Sequence, residues 1–89
     1  MLSAAPNPFQ EQTGIRFSLG SGQELVRIGV FDVGGRLVRE IFSGSLAAGT
    51  HQYHWDGRNE QGMKSSGGIY FIRVQTPGAV LKTKVVRME

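Results

Sequence analysis

Hydrophobic and polar residues alternate with a period of two along several stretches of this chain. Ile15, Phe17 and Leu19 fall on one side of an extended segment, with Arg16 and Ser18 on the other. Val26, Ile28 and Val30 repeat the pattern against Arg27 and Gly29 in a strand over residues 25–31. Between residues 50 and 55, His51, Tyr53 and Trp55 share a face opposite Thr50, Gln52 and His54. Tyr70, Ile72 and Val74 oppose Ile69 and Phe71 within residues 69–75. A last strand over residues 80–88 carries Lys82, Lys84 and Arg87. Such alternation marks half-buried β-strands.

Residues 37–42 read two ways. Apolar positions 37, 38, 41 and 42 suit a helical turn, whereas the β-branched residues and flanking glycines suit a strand of irregular register. A segment this short makes no stable helix, so a strand is expected. Turns fall at residues 20–22, 32–36, 56–62 and 76–78, with a connector at 46–49 and a glycine-rich extension at 65–68. Pro6-Asn7-Pro8 opens the domain. Each proline fixes its own φ and pushes the preceding residue toward extended geometry, so a rigid extended lead-in is expected. Phe9 then plugs the bottom of the core. The sum is all-β: about six or seven short strands in an antiparallel, immunoglobulin-like β-sandwich, with a small closed barrel as the alternative.

Composition narrows the class. The chain has 89 residues, which is one domain. It is 39% apolar and 19% charged, which argues against disorder. A net charge of +3 permits an anionic surface as partner without demanding nucleic acid. Cysteine is absent, which excludes disulfides, thiolate zinc sites and thiol nucleophiles. No apolar run approaches the ~20 residues of a transmembrane helix. The start, Met1-Leu2-Ser3-Ala4-Ala5, lacks the features of a signal peptide. An export signal is therefore expected in a longer parent chain, with Met1 a start placed on an excised domain.

Catalytic patterns are missing. His51 and His54 lie three apart on one strand, hence on opposite faces, and cannot share a metal. Asp32 and Asp56 sit in turns, where a carboxylate bonds its own backbone. No nucleophile elbow and no phosphate-binding glycine loop occurs. Asp56, Asn59 and Glu60 are oxygen ligands of the kind calcium takes, but their spacing departs from a calcium loop, and a hydrogen-bonded loop is expected. Tyr53, Trp55, Tyr70 and Phe71 could form a sugar platform; the reading preferred for Tyr53, Trp55 and Tyr70 is core. Arg73, Lys82, Lys84 and Arg87 read as solvated faces and edge protection. Nucleic acid is not expected, because the aromatics do not interleave with these charges. The expectation is a monomer that is not an enzyme and carries no cofactor or metal.

A resemblance goes further. Pro6-Asn7-Pro8-Phe9 followed by Ile15-Arg16-Phe17 resembles the start of the C-terminal sorting domain of type IX secretion cargo. Val30-Phe31-Asp32-Val33-Gly34-Gly35-Arg36-Leu37-Val38 resembles its second hairpin. Ala48-Gly49-Thr50-His51, then Trp55-Asp56-Gly57-Arg58 and Gly62, resemble its middle. Ser66-Gly67-Gly68-Ile69-Tyr70-Phe71 and Thr83-Lys84-Val85-Val86 resemble its last two strands. The same W-D-G…G…G-x-Y pattern is similar to the immunoglobulin-like domain of flagellar hook-capping proteins, and the P-N-P-F start favours the secretion family.

That resemblance implies a sandwich and a non-catalytic address label at the C-terminus of a larger secreted cargo protein. The outer-membrane translocon would recognise it from the periplasm, and in many members a surface sortase removes it and joins the cargo to anionic lipopolysaccharide. The implied partners are the translocon, the sortase and the parent cargo domain; the implied location is the cell surface or beyond. Candidate recognition residues are Pro6, Asn7 and Pro8 in a rigid lead-in, Gly68 and Tyr70 shaping the penultimate strand, and Lys82, Lys84 and Arg87 on a last strand open to β-augmentation. The family often has Lys at or next to its end; here Val86-Arg87-Met88-Glu89 carries Arg and finishes on Glu. Cleavage is expected upstream of the sandwich, where only Leu2-Ser3-Ala4-Ala5 stands. The alternatives are a carbohydrate-binding or spacer module of a polysaccharide-active enzyme, and a structural module of an extracellular assembly.

Overall fold

A computed structural model describes all of residues 1–89. The strands are β1 (Leu2–Ala5), β2 (Thr13–Leu19), β3 (Gln23–Phe31), β4 (Leu37–Leu46), β5 (Gly49–Trp55), β6 (Gly68–Thr76) and β7 (Ala79–Arg87). They form two antiparallel sheets, ordered β1-β2-β5 and β4-β3-β6-β7. No strand of one sheet pairs with a strand of the other, so the molecule is a sandwich and not a closed barrel. In immunoglobulin terms β1, β2 and β5 stand for A, B and E, and β3, β6 and β7 for C, F and G. The remaining strand, β4, lies beside β3 as an additional edge.

The alternation seen in the sequence becomes the core. Ile15, Phe17 and Trp55 face inward from the three-stranded sheet. Val26, Ile28, Val30, Tyr70, Ile72, Val74 and Val85 face them from the other. Register keeps the rows aligned: Ile28 lies opposite Val74 and Val30 opposite Ile72. A slip of one residue would turn every one of these side chains to solvent. Phe9 closes one end, 2% exposed and edge-to-face with Trp55 at 5.4 Å. Burying each such side chain contributes roughly 1.5–3 kcal/mol.

Three expectations need revision. The segment at 37–42 is, as expected, a strand of irregular register, with shifts against β3 at Ile28/Gly29 and Val30/Phe31; its extent is what changes. It continues through Ser43-Gly44-Ser45 to Leu46, because Gly44 and Ser43 still pair with Val26 and Arg27. Only Ala47 and Ala48 separate β4 from β5.

Second, Leu2-Ser3-Ala4-Ala5 does not precede the sandwich; it is β1, paired with β2 from Leu2↔Phe17 to Ala5↔Gly14. Leu2 and Ala4 pack on the core, but two small residues in four leave a faint alternation.

Third, Pro6-Asn7-Pro8 is bent, not extended, and both prolines follow cis bonds. The chain must leave the three-stranded sheet at Ala5 and cross to the neighbouring β7 edge of the other sheet by Phe9, which bridges Arg87 in parallel. Strands that change sheets in a sandwich do so through bends.

Candidate functional site

The four-stranded sheet ends in two edges, β7 and β4, and both are clasped by residues from outside the sheet. In an antiparallel strand, alternate residues turn both backbone groups to one side. On β7 the even-numbered residues turn away from β6. Asn7 Oδ1 accepts the Val86 N–H at 3.0 Å, and Asn7 Nδ2 donates to the Lys84 carbonyl at 3.0 Å. The Phe9 N–H donates to the Val86 carbonyl at 2.9 Å, and the Phe9 carbonyl accepts the Met88 N–H at 2.7 Å. An asparagine side chain thus stands in for a strand. On the opposite edge, the Glu60 N–H donates to the Val38 carbonyl at 3.0 Å, and the Glu60 carboxylate accepts the Glu40 N–H. Arg39 Nη1 adds a 3.3 Å bond to the Asn59 carbonyl. The last strand is therefore not open along its length. Asn7 and Phe9 take the Lys84 carbonyl and both outward groups of Val86, and β1 packs alongside β7.

The basic residues of β7 separate by parity. Lys82 and Lys84 are exposed, as expected. Arg87 does not stand on the exposed face with them: it shares the inward parity of Val85 and is 8% exposed. A Cβ on Gly57, at φ +75°, would fall 2.7 Å from Arg87 Nε. The odd spacing of Arg87 from Lys84 was the sequence signal for this.

Cations and aromatics do interleave on the outer face, contrary to the reading of the linear sequence. The Arg73 guanidinium lies 4.2 Å above the Phe31 ring, and the Lys82 ammonium lies 5.5 Å from Phe71. Register creates these neighbours, with Phe31 opposite Phe71 and Arg73 opposite Lys82. Arg27 and Glu40 approach to 3.7 Å beside them. Sequence reasoning missed Phe31 and Arg27, which belong to another hairpin.

The other candidates have structural partners. The Tyr70 hydroxyl donates to the Ser66 carbonyl at 2.6 Å, four residues upstream. This is the tyrosine corner of immunoglobulin-like sandwiches, at the start of strand F. Gly68 has φ +146°, which a side chain rarely adopts. Trp55 is 1% exposed, packs on Tyr70 at 5.1 Å and donates Nε1–H to the Arg58 carbonyl at 2.9 Å. Trp55 and Tyr70 are thus core residues, whereas Tyr53 is half-buried and stacks on Phe17, and Phe71 is half-buried on the outer face.

In the loop before β6, Asp56 Oδ1 accepts the Arg58 N–H, and Asn59 Oδ1 accepts those of Gln61 and Met63, each at 3.0 Å. Together with the Glu60 contact, these bonds organise the loop through its own backbone. Asp32 does the same in the β3–β4 turn, accepting the Gly34 and Arg36 N–H groups at 2.9 Å. The bond from the Arg36 backbone, against an opposing effect of desolvation and supported by the bond from Gly34 and by the Arg36 guanidinium, holds the Asp32 carboxyl below its ordinary range. His51 faces the Ala47 carbonyl at 2.8 Å, and His54 points the other way. No helix of the chain is long and apolar enough to cross a membrane.

The fold recurs in solved structures. PorZ, described as an essential bacterial surface component of the type IX secretion system of Porphyromonas gingivalis, superposes with TM-score 0.69 at 18% identity. That match covers 99% of this chain and 11% of PorZ. Dimeric latent PorU of P. gingivalis gives TM-score 0.71 at 24% identity, covering 98% of this chain and 9% of PorU. FlgD of P. aeruginosa gives TM-score 0.67 at 26% identity, covering 85% of this chain and 59% of FlgD. The chain thus spans only part of each of these proteins. No curated protein sequence matches it. The FlgD Ig-like domain family matches residues 6–79, from the Pro6-Asn7 clasp to the first residue of β7. Seven strands in two antiparallel sheets, a tyrosine corner and that match lead to one conclusion: this chain belongs to the FlgD Ig-like domain family.

Proposed function

We propose that the chain is a non-catalytic sorting module, read as a folded unit by a type IX secretion translocon while attached to a larger cargo protein. The observation that supports this most is the near-complete superposition on about a tenth of PorZ and of PorU, the first a surface component of that system. A sandwich of this kind serves there as one module of a long protein. Recognition requires shape and accessible side chains, and β7 presents exposed Lys82 and Lys84. In this reading Asn7, held between Pro6 and Pro8, clasps the edge of β7, and Gly68 and Tyr70 hold β6 in place behind it.

The test is export. Residues 1–89 are placed behind a signal peptide and a fluorescent reporter, in a host with a type IX system and in its translocon-null mutant. Reporter at the surface or in the medium only in the competent host is expected. Reporter held in the periplasm of both hosts overturns the reading.

A second reading rests on the family itself and on the 26% identity to FlgD: a structural module of an extracellular assembly such as a hook cap. It predicts self-association at micromolar concentration, whereas the sorting reading predicts a monomer in sedimentation.

A further inference from the structure

Arg87 is the least accommodated charge in the molecule. It is 8% exposed, yet no carboxylate lies within ion-pair distance of its guanidinium, and its Nε is buried without an acceptor. Buried charges are normally paired, and an apolar side chain of similar length would pack at such a position without the cost of desolvating a cation. The residue opens on a cleft of roughly 320 Å³ between the segment at 10–12 and the β5–β6 loop, lined entirely by polar and charged side chains.

The other charged groups of that cleft differ in how far they are committed. Asp56 accepts the Arg58 N–H and lies 4.0 Å from Arg39. Arg58 donates Nη1–H to the Gly62 carbonyl at 2.8 Å. Lys64 is exposed and its ammonium has no hydrogen-bond or ion-pair partner. Glu11 is exposed at the rim and pairs with no cation. Two uncommitted cations, Arg87 and Lys64, therefore line one cleft, and one of them is already desolvated.

We propose that this cleft binds a carboxylate, taken by the Arg87 guanidinium with Lys64 at the rim. The planar fork of an arginine matches the two oxygens of a carboxylate, and the bond strengthens where water is excluded. The carboxylate comes either from an acidic side chain of a partner peptide or from a free small acid. The proposal concerns the isolated domain and stands apart from the route of secretion.

The experiment is an NMR titration of the nitrogen-15-labelled chain, following the Arg87 Nε–H signal. The probes are sodium acetate, N-acetyl-Gly-Glu-Gly-amide, and sodium chloride at matched ionic strength. A saturable shift with acetate or peptide, and none with chloride, is expected. Tighter binding of the peptide assigns the site to a partner's side chain; equal binding assigns it to a free acid. Lys64→Gln weakens binding by about two- to five-fold, the worth of one exposed ion pair. Arg87→Met abolishes it with the amide spectrum otherwise intact; if that variant does not fold, Lys64→Gln carries the test. No saturable shift in the wild type overturns the proposal. Binding that emerges only in Glu11→Gln also overturns it, because the chain's own Glu11 is then the occupant.

Discussion

Gly57 lies directly against Arg87, so close that a single added Cβ would meet Nε at 2.7 Å and Cδ at 3.2 Å. The glycine of the W-D-G-R turn is therefore fixed by two requirements at once. Its φ of +75° disfavours side chains, and the buried arginine leaves no room for one.

Gly57→Ala is expected to cost about 2 kcal/mol or more, since a strained left-handed residue alone costs of order 1–3 kcal/mol. Urea unfolding measures it. The double variant with Arg87→Met should recover part of the loss, because residues in contact couple by about 0.5–3 kcal/mol. Strict additivity would contradict the packing described.

Asn7→Ala removes two bonds to the edge of β7 and should destabilise by about 1–3 kcal/mol. Hydrogen exchange gives the sharper readout. The Val86 amide should exchange markedly faster in the variant, and Asn7→Asp, which keeps an acceptor for it, should restore most of its protection. An unchanged Val86 rate would mean that the clasp does not hold in solution.

Trp55→Ala should cost about 3–5 kcal/mol, as large aromatic truncations in cores do. Tyr70→Phe loses only the bond to Ser66 and should cost about 0.5–1.5 kcal/mol. Thermal melts distinguish the two, and a Trp55 variant as stable as the parent would place that ring at the surface.

Asp32 predicts an acid dependence. Its folded carboxyl is held below the ordinary value, chiefly by the Arg36 backbone N–H. Its contribution is therefore complete above the unfolded aspartate value and is lost as pH falls through the lowered folded value. Carbon-13 NMR of the carboxyl should show a midpoint below that of a free aspartate. A midpoint at or above it would remove the basis for this dependence.

How much was legible follows from period and parity. β2, β3, β5 and β6 were readable because Ile15, Phe17, Val26, Ile28, Tyr53, Tyr70 and Ile72 alternate strictly with other residues. β1 was not, since its Ser and Ala residues carry little contrast. Arg87 was grouped with Lys82 and Lys84 by charge, although its odd position places it on the face of Val85. The Arg73–Phe31 pair joins residues 42 positions apart (73 − 31), a distance only register could bridge. The bend at Pro6-Asn7-Pro8 depends on where the chain must go next, which local φ preferences do not encode. Whether the module sorts a cargo lies outside all of these signals, because an edge recognised by a partner has the same pattern as any other edge.

The clasp between Asn7 and β7 joins residues 77 and 79 positions apart. A ribosome making this domain releases Asn7 and Phe9 long before their partners exist. The segment that follows β1 must wait, with Phe9 uncovered, until Lys84, Val86 and Met88 have been synthesised and have left the exit tunnel. Contacts so distant in sequence make closure late and slow. Such a domain completes its fold only after its final strand has been translated, and its closed edge then reports that the strand has arrived intact.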